Sequence, residues 1–140
     1  MEELASVFFH SRTQAHVFHT RVKGTGSYAA HKALQEYYEG IIPLLDALIE
    51  SYQGMHGIIQ YKDVKGIDNN ADIQNIITYF DKLCKYLELA RKVDELKHSW
   101  FQNDIDAYPS VLRAMNELIE RENIPNHHIQ IFPNSFLIKK

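Results

Sequence analysis

One cysteine, Cys84, is all the chain has, which excludes an internal disulfide and weakly favours a reducing cytoplasm as its location. No stretch approaches ~18 consecutive apolar residues, so no spanning helix is expected. The chain opens Met1-Glu2-Glu3, without the basic n-region and apolar h-region of a signal peptide. Positive charge is also sparse. The formal net charge is −3 and no Lys/Arg run exceeds two residues, whereas a tight non-specific DNA binder carries a basic patch or tail. DNA binding is therefore not expected. No phosphate-binding glycine loop is present either. Gly24-Thr25-Gly26 follows a helical stretch, not a strand, and does not support dinucleotide binding.

What remains is an ordinary globular composition, 45% hydrophobic and 24% charged over 140 residues. That is enough for one domain with a core and too short for two comfortable ones. Residues 2–22 read as a helix, because Leu4, Val7, Phe8, Ser11, Ala15, Phe18 and Val22 recur at steps of three and four. Lys23–Ser27 breaks it, with Gly24 beyond the helix end and Ser27 as a cap for the next helix, 28–53. Pro43 lies inside that second helix and should kink or loosen it. Gln53-Gly54 should end it. Residues 54–70 read as a loop in which Ile58–Tyr61 forms a short strand or a helical turn. A third helix is expected over 71–102, on a stripe from Ile73 to Leu96, and a fourth over 107–122. The tail, 124–140, alternates around Ile129–Phe132 and reads as extended. The predicted architecture is all-α: an antiparallel four-helix bundle over 1–123 with an irregular C-terminal tail over 124–140.

Four side chains carry the chemistry: His19, His31, Asp46 and Glu50. Two imidazoles and two carboxylates form a complete ligand set for iron, manganese or zinc. Asp46 and Glu50 lie four apart on one helix, so they share a face. Leu44-Leu45 and Leu48-Ile49 flank Asp46, so the carboxylates are expected to border apolar surface, where a cation would relieve their burial. Taken alone, an Asp-x-x-x-Glu pair is usually a solvated face, and a lone helical His is usually a surface or capping residue.

In order and spacing, at intervals of 12, 15 and 4 residues, these four positions resemble the motif of the Dps family, the small DNA-protecting ferritins. The resemblance covers residues 1–54 and marks the chain as a divergent, phage-type member. It implies a ferritin-like bundle that binds Fe²⁺, oxidises it with peroxide or oxygen, and sequesters the product. It also implies a ligand set split across a twofold interface, His19 and His31 from one chain and Asp46 and Glu50 from its partner, and hence a homo-oligomer of two or more chains. The alternative is a catalytically silent helical-bundle scaffold or interaction protein that keeps the fold. The departures from the family pattern are Thr20 where a Trp usually follows the first His, Gln35 in place of a further carboxylate, and Pro43 between the ligands. Other residues take plainer readings. His16 is a surface residue beside the site; Tyr37, Tyr38 and Tyr52 pack; Trp100-Phe101 is core or interface; His127-His128 is solvated; Cys84 is a small buried hydrophobe.

Overall fold

In the computed structural model, residues 1–93 and Glu117 are described. They form three α-helices and, among the described residues, no strand: α1 over Glu2–Arg21, α2 over Ser27–His56 and α3 over Ile73–Ala90. The all-α expectation holds at that level. Of the expected fourth helix over 107–122 only Glu117 is described, and it is helical and exposed; the rest of that span, the tail over 124–140, Trp100-Phe101 and His127-His128 lie outside the described residues.

α1 and α2 pair as an antiparallel hairpin through a tight turn. Gly24 (φ 88) and Gly26 (φ 80) supply its left-handed backbone, which costs a residue with a Cβ about 1 kcal/mol or more. Gly26, not Ser27, occupies the N-cap position of α2, and it offers no side-chain cap. α2 runs on past Gly54 to His56 and stops at Gly57, whose φ of 85 ends the helix. Pro43 sits within this single element without ending it. Its side chain is exposed, and the carbonyl of Glu39 that loses a donor faces the same exposed side, where water can hydrate it.

The core lies between the three helices. α1 gives Leu4, Phe8, Ala15 and Phe18, α2 gives Leu34, Tyr37, Ile41, Leu45 and Leu48, and α3 gives Ile76, Phe80, Leu83 and Leu87. Aromatic edges lock the layers, with Phe18 against Tyr79 at 5.5 Å and Tyr37 against Phe80 at 4.9 Å between ring centroids. Both are edge-to-face arrangements, the geometry that rings prefer. Buried Tyr37 also satisfies its hydroxyl. Ser11 Oγ donates to the Phe8 carbonyl at 2.8 Å, so at the 2.6 Å contact between the two hydroxyls Tyr37 is the donor.

Residues 57–72 form neither a strand nor a helical turn. They are an extended strap lying along α1. Glu2 Oε1 accepts from the Gln60 amide (3.0 Å), Ser6 Oγ from the Lys62 amide (2.7 Å), and His10 Nε2 donates to the Gly66 carbonyl (2.6 Å). Gln14 grips both backbone groups of Asp68, donating at 2.7 Å and accepting at 2.8 Å. Arg21 Nε donates to the Asn69 carbonyl at 2.9 Å. Residues 2, 6, 10 and 14 are one ridge of α1, at helical steps of about 6 Å. Two extended residues span about the same distance, which is why residues 60 and 62, and again 66 and 68, meet successive rungs. Between 62 and 66 four residues cover one rung, and Gly66 at φ 88 takes up the slack.

The strap returns the chain to the far end of α1, so α3 runs antiparallel to α1 and parallel to α2. Asp72 caps α3 by accepting from the Gln74 and Asn75 amides at 3.1 and 3.3 Å. α3 ends at Ala90, earlier than the expected 102. Its last turn tightens to three-residue bonds, Lys92 N to Leu89 O and Val93 N to Ala90 O, each 3.1 Å. Leu89 (66% exposed) and Val93 (49%), expected on the buried stripe, are outside it.

Candidate functional site

The hairpin brings His19 and His31 together. Their rings stack, with centroids 3.6 Å apart and planes inclined by 26°. Each ring hydrogen-bonds the other residue's backbone: His19 Nδ1 donates to the His31 carbonyl, and His31 Nδ1 to the His19 carbonyl, both at 3.0 Å. A carbonyl only accepts, so both Nδ1 atoms carry hydrogen. In the neutral rings each Nε2 then holds a lone pair. A backbone carbonyl on the second ring nitrogen is the usual device that fixes the tautomer and orientation of a metal-binding histidine. His19 is half-buried and His31 exposed, so the pair lies at the surface.

Around the pair is a cluster that the sequence reading did not assemble. Tyr38 stands edge-on to His19 at 5.3 Å, His16 stacks on Tyr38 at 4.5 Å, and the Arg12 guanidinium lies 5.7 Å from the Tyr38 ring centre. The signal was available, because Arg12, His16 and His19 fall at steps of four and three on α1 and so share a face. His16 is exposed as expected, and it is tied to the site through Tyr38 rather than standing apart. Tyr38 packs on the cluster, Tyr52 lies against His56 at 4.4 Å, and Cys84 is buried.

Asp46 and Glu50 are elsewhere on the same helix. Residue 46 is 15 positions beyond His31, or about 22 Å along the axis at 1.5 Å per residue. One chain therefore does not join the imidazoles to the carboxylates, and among the described residues no group of three or more His, Cys, Asp or Glu is placed to hold a metal ion. Both carboxylates are exposed. The expectation that they border apolar surface, and would be relieved by a cation, is corrected: their apolar sequence neighbours Leu45, Leu48 and Ile49 turn inward, and water solvates the carboxylates in the single chain. Among the described residues neither Asp46 nor Glu50 forms an ion pair.

Two further hollows flank the hairpin. A groove of about 570 Å³ between α1 and the strap is lined by residues including Phe9, His10, Tyr61 and Lys62, with Phe9 and Tyr61 in edge contact at 5.6 Å. A smaller one of about 420 Å³ lies where Arg21 and Lys23 meet Asn69 and Asp72. In the first, the polar groups of Ser6, His10 and Lys62 are already engaged by the strap or by Glu2. No helix among the described residues is long and apolar enough to cross a membrane.

A family model described as a family of unknown function (DUF5856) matches residues 24–118. The match begins in the turn between α1 and α2, so it contains His31, Asp46 and Glu50, while His19 precedes it. No curated protein and no solved structure matches the chain.

Proposed function

Since the chain belongs to the DUF5856 family, whose function is unknown, we propose from its own residues that the protein binds a divalent metal ion at a site shared by two copies. His19 and His31 come from one copy, and Asp46 and Glu50 from the other. The observation that carries this reading is the reciprocal His19–His31 pair. Two imidazoles held by backbone carbonyls at Nδ1 are preset as nitrogen donors, before any ion arrives. The donor set suits the ion: two nitrogens and two carboxylates match iron, zinc or manganese. The carboxylates, solvated and without an ion pair among the described residues, are available to a second chain.

With Fe²⁺ as substrate, the chemistry supplied would be oxidation by peroxide or oxygen followed by sequestration of the product. The chain's own contribution is to hold the imidazole tautomers, to present the carboxylates, and to keep ligand halves apart until two copies meet. A ferritin-like four-helix bundle, with residues 107–122 as the fourth helix, belongs to the same proposal. The order of a hairpin, then a long crossover, then a helix parallel to α2 supports it, since ferritin-like bundles contain one such crossover.

Calorimetric titration with Zn²⁺, and with Fe²⁺ under anaerobic conditions, tests the reading. Binding is expected in the wild type. It should fall at least about tenfold in His19→Ala and in Asp46→Ala/Glu50→Ala, with helix content unchanged. Wild-type protein that takes up neither ion would overturn the metal site and leave the scaffold alternative. Uptake of Fe²⁺ without oxidation on adding peroxide would remove the oxidase half alone.

A further inference from the structure

The strap has one edge against α1 and the other open. In an extended chain successive residues turn their amide and carbonyl to opposite edges. The Gln60 and Lys62 amides turn towards α1, where Glu2 and Ser6 accept from them, so the main-chain groups of Tyr61 and Asp63 turn away from it. Among the described residues those groups make no hydrogen bond, and residues 60–63 are all exposed. Apolar surface lies beside this edge. Tyr61 is 55% exposed, and Phe9 and Val64 join it in lining the groove of about 570 Å³. The polar groups of Ser6, His10 and Lys62 are engaged already, so the groove offers an occupant apolar wall.

We infer that the open edge of the strap is the docking site for the chain's own C-terminal tail, which adds to it as a short strand with Ile131 set in the groove. The tail has the pattern this needs. The run between Pro125 and Pro133 ends in Ile129-Gln130-Ile131-Phe132, an alternation of period two that puts Ile129 and Ile131 on one face. Proline donates no main-chain hydrogen bond, so Pro125 and Pro133 bound the segment that pairs. From Ile124 to Ile138 there is no Asp, Glu, Lys or Arg. A charge-free run of this kind is an aggregation hazard when left in water, and so is an open extended edge. Each supplies what the other lacks. The strap gives main-chain partners at Tyr61 and Asp63, and the groove takes up an apolar side chain, the two elements of recognition by strand addition.

Tethering favours the tail over any free peptide. Ile129 is 36 positions beyond Val93 (129 − 93). With 107–122 in a helix, the remaining 20 of those residues (13 in 94–106 and 7 in 123–129) still reach about 65 Å when extended. The 20 residues of α1 make it about 30 Å long, so the tail reaches any point along the strap. A segment tethered in this way has an effective concentration in the millimolar range, and a free peptide of equal affinity competes against it at a disadvantage. His19, His31, Asp46 and Glu50 play no part in this docking, which stands or falls apart from the metal reading.

Hydrogen exchange of the full chain tests this, with circular dichroism as a control on folding. Without the tail, the Tyr61 and Asp63 amides have no acceptor and exchange close to the rate of an unstructured peptide, while α1 protects Gln60 and Lys62. With the tail docked, Tyr61 and Asp63 are expected to exchange at least about tenfold more slowly, and equally so at about 5 and about 200 μM protein. Ile131→Asp should remove that protection and leave the Gln60, Lys62 and Asp68 amides as in wild type, whereas Ile131→Val should keep it. Unprotected Tyr61 and Asp63 amides in the wild type overturn the inference, whatever the variants do. So does protection that survives both Ile131→Asp and Ile129→Asp/Ile131→Asp, because something other than the tail then covers the edge. Protection that grows with protein concentration overturns docking of the chain's own tail and assigns the edge to the tail of a second copy.

Discussion

Gln14→Ala should release the middle of the strap while the helices stay folded. Gln14 is 1% exposed and makes two hydrogen bonds to one residue, donating to the Asp68 carbonyl at 2.7 Å and accepting from its amide at 2.8 Å. Each such bond contributes a net of about 0.5–1.5 kcal/mol. Together they hold Asp68 to α1 by about 2 kcal/mol, which is a factor of roughly 30 in the local opening constant. Truncation to Ala deletes both partners and leaves the Asp68 backbone to water, so the loss is felt where the strap opens. Native-state hydrogen exchange reads this at the Asp68 amide, where protection should fall about 30-fold. Amides in the middle of α2 exchange only through global unfolding and should follow the global stability instead. Unchanged protection at Asp68, or an equal loss at every amide, would refute the argument that the strap is held rung by rung by α1 side chains.

Acid should loosen the same strap at both ends. Lys62 and the Gln60 amide hold the Glu2 carboxyl below its usual range, and Asn75 with the Asn70 amide does the same for Asp68. Folded values depressed in this way give stability that is present above the unfolded values of 4.5 and 3.8 and is lost as pH falls through the folded ones; exchange at Gln60 and Asp68 measured down through pH 3 to 4 should show it, and Glu2→Gln should remove its part. Alkali should act through the core, because burial pushes the Tyr79 phenol far above its usual 10.0. The folded state then keeps a proton that the unfolded chain gives up, so stability falls as pH rises above about 10; in urea melts Tyr79→Phe should lose less stability than wild type between pH 9 and 11.

The parts of the fold legible in the sequence are those set by apolar period. Leu4, Phe8, Ala15 and Phe18 placed α1 to within one residue of its end, and Ile76, Phe80, Leu83, Cys84 and Leu87 gave the buried stripe of α3. Period alone misjudged where helices stop. Leu89 is still helical but falls two positions after Leu87, off the face of the buried stripe, and Val93 lies in the turn beyond the helix end. Gly54 reads as a break, yet the helix passes through it to Gly57. The strap was the least legible element. Its bonds join α1 side chains to main-chain atoms some 50 residues away, and no local pattern in 57–72 encodes them. The clue lay in α1, where Ser6 and Gln14 are polar yet buried. For the candidate site, spacing identified two His that do meet, but it gave no sign that they would bond each other's carbonyls. Apolar sequence neighbours are a poor guide to the surroundings of Asp46 and Glu50, because a helix turns successive residues to different faces.

The strap is recognised through its main chain, so α1 constrains its length far more than its side chains. Side-chain changes at 63, 64 or 67 leave every rung in place. An added or deleted residue between 66 and 68 shifts the chain by about 3.3 Å, half a rung, and turns amide where carbonyl is required. Gly57 and Gly66, with their positive φ, are tied to their identity by the backbone they must adopt. The crossover therefore works as a spacer of fixed length, and it measures how far along α1 the third helix begins.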